Sequence, residues 1–239
     1  MTRTVAALFA LAIVTACSGQ SSSSSLTVFA ASSLQPPFQR LGAPWNVSSI
    51  TFNFAGTQTL TAQLMQGAEA DVFAAADTEH VRQLEQKGLI EGQSHVFAHN
   101  VLAIAVAPGN PKGIRELRDL ARPGLVVVLA DQSVPAGKYA KQALDKAGVR
   151  VQAASLETQV TGVVSKVAIG EADAGIVYYT DIVTSRKVEG VRIPDAQNVI
   201  ADYTIAIPKS AKNHDGAIAF VKMWLSGPSV LVATGFIPA

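Results

Sequence analysis

The stretch Leu26-Thr-Val-Phe-Ala-Ala-Ser-Ser-Leu34 decides how the rest of the chain is read. Leu26 to Ala30 is a short apolar run that passes through small residues straight into a helix opening at Leu34. Ser32 and Ser33 stand where N-cap residues belong. A strand that delivers hydroxyls and free backbone N–H groups to a helix N-terminus forms a neutral cradle for an anion. The first-turn N–H groups have no intrahelical acceptor, and the helix dipole adds partial positive charge. Taken alone, the stretch fits a plain capped helix after an edge strand equally well. Four later stretches repeat the design, however, each ending an apolar element in small, hydroxyl or backbone groups and never in a charged side chain.

Outward from this stretch, strands and helices alternate. Pro36 and Pro37 fit the first turn of a helix over Leu34 to Leu41, where missing N–H groups cost nothing. Ile50 to Phe54 alternates as a strand and enters Ala55-Gly-Thr-Gln-Thr-Leu60, with a helix over Leu60 to Gln66. Asp71 to Ala75 reads as a buried strand, and Asp77 or Thr78 caps a helix that ends at Lys87-Gly88. Val96 to Ala107 is a long apolar strand closed by Pro108-Gly-Asn-Pro111. A second set follows: helix Ile114 to Leu120, strand Leu125 to Ala130, and the loop Asp131-Gln-Ser-Val-Pro-Ala-Gly137 feeding a helix over Lys138 to Lys146. Then come helix Glu157 to Ile169, strands Ala174 to Tyr179 and Tyr203 to Ile207, and helices Asp215 to Leu225 and Ser229 to Ala233. This alternation predicts an α/β protein with a mostly parallel sheet flanked by helices.

The 239 residues are 49% hydrophobic and 15% charged, enough for one large domain or two lobes. Residues 1–16 carry one charge, Arg3, before an apolar run from Val5 to Val14 that is too short to span a bilayer and has the form of a secretory leader. Val14-Thr-Ala-Cys17 resembles the box cut before a lipidated cysteine, and residues 17–25 then form Cys17 and a serine-rich tether. Cys17 is the only cysteine, so no internal disulfide can form. Without Arg3 the chain holds 18 Lys+Arg against 18 Asp+Glu. With no basic block and 6% aromatic residues, nucleic acid is not an expected partner.

The sequence contains no nucleophile elbow and no dinucleotide-binding glycine pattern. Gly137-Lys138 lacks both the upstream glycine and the following hydroxyl of a P-loop. His95 and His99 flank a strand with no third ligand nearby, and Lys138 fits a solvated helix face. Asp71, Asp77, Asp173 and Asp181 fall at element ends, where capping and turn roles are the default.

In order along the chain, Val28-Phe-Ala-Ala-Ser-Ser-Leu34, Phe54-Ala-Gly-Thr57, Gly67-Ala-Glu-Ala-Asp-Val-Phe73, Ala76-Asp77, Val134-Pro-Ala-Gly137, Gly175-Ile-Val-Tyr178 and Gly235-Phe236 form a specific set. With them the chain resembles the extracytoplasmic molybdate-binding proteins of ABC importers. That resemblance implies a two-lobed class II periplasmic-binding-protein fold, each lobe a mixed, mostly parallel sheet flanked by helices. Lobe I would comprise residues 26–107 and 201–239, and lobe II residues 108–200. It also implies a tetrahedral oxyanion held by the hydroxyls of Ser33, Thr57 and Tyr178 and the backbone N–H of Ala136 and Val160. Thr57 stands where the family more often has serine; Pro36-Pro37 and a short 42–49 segment also depart from its pattern. The expected ligand is molybdate or tungstate, with no cofactor, no metal other than the molybdenum of the oxyanion, and no enzymatic activity. The implied partners are the permease and ATPase of an importer, with the monomer held outside the cell membrane through Cys17. Alternatives within this resemblance are a sulfate or phosphate binder, an anion-sensing lipoprotein, or an enzyme built on the same scaffold.

Overall fold

The computed structural model describes residues 25–42, 44 and 47–239, so the leader, Cys17 and the tether up to Ser24 lie outside the described residues. Strand β1 (Ser25–Ala31) leads through a 3-10 turn (Ser32–Leu34) into α1 (Gln35–Leu41), and β2 (Ser49–Ala55) leads into α2 (Thr57–Met65). Then follow β3 (Val72–Ala75), α3 (Glu79–Gln86) and the long β4 (Ile90–Val106). After a second 3-10 turn (Leu117–Ala121) come β5 (Val127–Ala130), α4 (Pro135–Ala147), β6 (Ser155–Glu157), α5 (Val160–Ala168), β7 (Ala174–Tyr178), α6 (Tyr179–Ser185) and β8 (Glu189–Arg192). The chain returns through β9 (Ile200–Pro208), α7 (His214–Leu225), α8 (Ser229–Ala233) and β10 (Ile237–Pro238).

The strands run in the order β2-β1-β3-β9-β4-β7-β5-β6, with β8 and β10 also paired to β4. β1 pairs in parallel with β2 and β3, and β5 in parallel with β6 and β7. Between these parallel sets, β9 and β4 run antiparallel to their neighbours. The result is the mixed α/β arrangement expected from the alternation. Both faces of β1 are buried: Phe29 packs with Leu60, Leu64 and Leu84, while Val28 and Ala30 belong to the cluster around Phe38, Phe220 and Trp224. Two-sided burial explains why these strands read as continuous apolar runs.

Strand β4 ties the two parallel sets together by changing partners along its length. Residues Ile90 to Val101 pair with β9, and Leu102 to Val106 pair with β7 and β8. The sequence reading sets the crossing after Ala107; the partners change at Val101/Leu102, within an unbroken strand.

Several boundaries differ from the expectations for local reasons. Ser25 belongs to β1 rather than to the tether. Ser32 and Ser33 do not cap a helix: they form the 3-10 turn, and neither α1 nor that turn has a side-chain cap. The segment over Ile114 to Leu120 is not an α-helix, because Asp119 takes the N–H groups of Arg115 and Glu116 at 2.7 and 3.2 Å and tightens the chain into a 3-10 turn. Glu157 lies in β6, paired with Ala130, so the following helix starts only at Val160. Tyr179 opens α6 instead of ending β7, since Asp181 accepts the Tyr178 N–H at 3.0 Å and caps a new helix there.

Candidate functional site

All five residues singled out in the sequence line one small cavity. Ser33 comes from the turn after β1, Thr57 and Val160 from the first residues of α2 and α5, Ala136 from the first turn of α4, and Tyr178 from the end of β7. These positions follow the carboxyl ends of parallel strands, where open α/β sheets gather ligand groups. The cavity measures about 10 Å3, close to the least space that admits a water-sized sphere. None of the five residues is more than 4% exposed. No ionisable acid or base other than Tyr178 lines the cavity among the described residues.

Each group faces the cavity for a reason. The Thr57 Oγ1 accepts the Ala76 N–H at 3.1 Å, leaving its own hydrogen to point elsewhere. The Ser33 Oγ lies 2.9 Å from the Tyr203 hydroxyl. Ala136 and Val160 stand in the first turns of their helices, where backbone N–H groups lack an intrahelical acceptor. Gly137 lets α4 approach β5: a Cβ there would lie 2.0 Å from the Asp131 carbonyl and 2.3 Å from that of Ala130. The Tyr178 hydroxyl is buried without a hydrogen-bond partner among the described residues. Burial pushes that phenol well above its ordinary range, so it remains a donor. An unpaired buried hydroxyl costs about 1–3 kcal/mol, a cost that a ligand oxygen would remove.

The two parallel sets touch closely around this cavity. Gln58 Nε2 donates to the Thr158 carbonyl at 2.9 Å, and Lys138 of α4 pairs with Glu79 of α3. The Lys138 hydrogen bond holds the Glu79 carboxyl below its ordinary range. A Cβ on Gly56 would meet the Thr158 carbonyl at 2.6 Å. Beside the cavity lies an open groove of about 770 Å3 between Ser32–Pro36 and helices α5 and α6; Ser32 borders both spaces. Donor groups converge on the cavity, which makes it the better candidate.

The four aspartates serve the fold. Asp71 accepts the N–H groups of Thr27, Lys212 and Asn213, Asp77 that of His80, and Asp173 that of Val126. Asp181, buried beside the site, has its carboxyl pushed up to about 7 by burial, partly offset by the Tyr178 N–H. His99 pairs with Asp202 at 2.7 Å, and no cluster of three metal-ligating side chains occurs among the described residues. Sequence reasoning missed Asn100 and Tyr203 behind Ser33. They lie 103 residues apart, and Tyr203 lies 170 from Ser33, so no local pattern could have joined them.

Comparison with known proteins follows the same outline. The family model for bacterial extracellular solute-binding proteins matches residues 26–236. The chain is 41% identical over 219 residues to a protein named molybdate-binding protein ModA from Mycobacterium tuberculosis, covering 89% of this chain and 84% of the relative. It is 28% identical over 244 residues to a putative ABC transporter substrate-binding lipoprotein, YvgL, from Bacillus subtilis, covering 95% and 94%. The solved periplasmic molybdate-binding protein of Azotobacter vinelandii superposes with a TM-score of 0.76 at 22% identity, over 89% of this chain and 98% of that one, and so shares its fold. The chain belongs to the bacterial extracellular solute-binding protein family.

Proposed function

We propose that this protein binds molybdate, and tungstate alike, outside the membrane and hands it to the permease and ATPase of an ABC importer. The observation that supports the reading is the neutral cavity lined by Ser33, Thr57, Tyr178, Ala136 and Val160, where the Tyr178 hydroxyl is buried without a partner among the described residues. The identity to the mycobacterial relative supports the choice of anion. Hydrogen bonds to a charged group contribute about 1.5–3 kcal/mol each, so five support micromolar or tighter binding after the costs of association. Hydrogen-bond donors line the site, which supports a binding role.

Two lobes meet where β4 changes partners, and closing them about that strand and the segment before β9 buries the anion. A cavity of about 10 Å3 supports a closed form that must part to load. Small-angle scattering tests this: molybdate should reduce the radius of gyration, and an identical profile at saturation refutes closure. Cys17 carries lipid that holds the protein at the membrane; Cys17→Ala should leave the membrane fraction or stay unprocessed.

The small cavity also favours a second reading, sulfate, whose bonds are shorter. Calorimetric titration with molybdate, tungstate, sulfate and phosphate separates the two. Molybdate and tungstate should bind alike, sulfate more weakly, and phosphate least at neutral pH. Phosphate carries a proton there, and a site made of donors gives that proton no acceptor. Sulfate binding tighter than molybdate would favour the second reading.

A further inference from the structure

Behind Ser33 runs a buried chain of polar groups that the five donors do not include. Asn100 lies on β4 next to the point where that strand changes partners; it is 1% exposed, and Tyr203 on β9 is fully buried. The Asn100 Oδ1 accepts the Val101 N–H at 3.0 Å, which fixes the amide so that Nδ2 faces the hydroxyls. One Nδ2 hydrogen goes to Thr180 Oγ1 at 2.9 Å and the other to the Tyr203 oxygen at 3.4 Å. The Ser33 Oγ lies 2.9 Å from the Tyr203 hydroxyl, and either oxygen can donate. With the Asn100 hydrogen on the Tyr203 oxygen, a Tyr203 proton directed at Ser33 would leave the serine hydrogen to turn into the cavity.

We infer that Asn100 and Tyr203 are positioning residues that commit the Ser33 hydroxyl to donating into the anion site. Two edge-on rings hold Tyr203 in place: Tyr178 at 5.6 Å between centroids and Phe236 at 5.0 Å. Burial keeps the Tyr203 phenol above its ordinary range despite its contacts with Ser33, Asn100 and Tyr178, so it keeps its proton. Thr180 stands on α6, just after β7, so the same amide links β9 to α6. A serine able to turn either way would serve a protonated anion as readily as a bare one. A serine fixed as a donor serves only the bare one, so these two residues set selectivity without touching the ligand.

The inference rests on the anion reading of the site, and a double-mutant cycle separates the two. Molybdate affinity is measured by calorimetry on the whole chain in mild detergent, for wild type, Ser33→Ala, Tyr203→Phe and the double variant. Tyr203→Phe should weaken binding about two- to tenfold when Ser33 is present, the effect of one hydrogen bond, and less than about twofold when Ser33 is Ala. In the Tyr203→Phe protein the ratio of molybdate to phosphate affinity should also shrink, because the freed serine can accept the phosphate proton. That ratio is read within one variant and does not depend on how much of it is folded. Asn100→Ala, which leaves the three rings packed, should show the same dependence on Ser33. No molybdate binding by wild type overturns the site reading and this inference together. Wild-type binding with losses that simply add, or with an unchanged ratio, overturns the positioning role alone.

Discussion

Tyr178→Phe should move stability and affinity in opposite directions. The Tyr178 hydroxyl is buried, lines the cavity and has no hydrogen-bond partner among the described residues, while its ring packs edge-on against Tyr203 at 5.6 Å. Phenylalanine keeps that ring contact and deletes only the oxygen. In the ligand-free protein this removes an unpaired polar group worth about 1–3 kcal/mol, against a few tenths of a kcal/mol for the small void at about 24 cal/mol per Å3. The ligand-free Tm should therefore rise by a few degrees, at about 2–4 °C per kcal/mol for a chain of this size. With molybdate the sign reverses, since one charge-assisted bond of about 1.5–3 kcal/mol is lost and Kd weakens by about 10- to 160-fold. Ligand stabilisation follows RT ln(1 + [L]/Kd), so at one fixed saturating concentration the ligand-induced rise in Tm shrinks by about 3–12 °C. Calorimetric titration together with thermal melts, with and without molybdate, reads both effects. A variant that loses stability while keeping its affinity refutes the placement of this hydroxyl against the ligand.

Three further outcomes follow from geometry already described. Gly137→Ala places a methyl against the Asp131 and Ala130 carbonyls, so it should cost about 1–3 kcal/mol in a denaturant melt and weaken molybdate binding by moving the Ala136 N–H. Asp181 ionises near 7 when folded, above its ordinary value, so its favourable contribution is complete at low pH and is lost as pH rises towards 7. Asp181→Asn should remove up to about 4 kcal/mol of that decline between pH 4 and 7, read from urea midpoints across pH. Glu79→Gln breaks the ion pair with Lys138, whose side chains are 43% and 38% exposed; affinity should fall by less than about fivefold, and the difference should vanish at high salt.

Much of the fold was legible because it is written in local runs. The two-sided burial of β1 and β3 makes them continuous apolar stretches, and Gly88, at a φ of 67°, ends α3 where the sequence predicts. Elements set by long-range pairing were not legible. β6 is three residues that become a strand only beside Val128 to Ala130, and β8 exists only against the end of β4. The start of α5 was misjudged because Glu157 pairs with Ala130 of β5, while α4 begins three residues earlier than expected, with Pro135 in its first turn. The five candidate groups were named through the family resemblance; a strand end passing into hydroxyls marks Ser33 and Thr57 locally, whereas Val160 carries no such signature. Their polarity was not legible, because it depends on Ala76, Asn100 and Tyr203, which reach the site from other strands.

A cavity lined without a single cation has a consequence for the waters in which such a protein works. Ionic atmosphere weakens attraction between exposed charges over a Debye length of about 8–10 Å, but it does not reach buried dipoles. Capture by hydroxyls and amide N–H groups should therefore keep nearly the same strength at low and at high ionic strength. The abundant chloride of a saline medium would find no lysine or arginine in the cavity to occupy. Binding built in this way should vary little with salinity, apart from the small share contributed by the exposed Lys138–Glu79 pair.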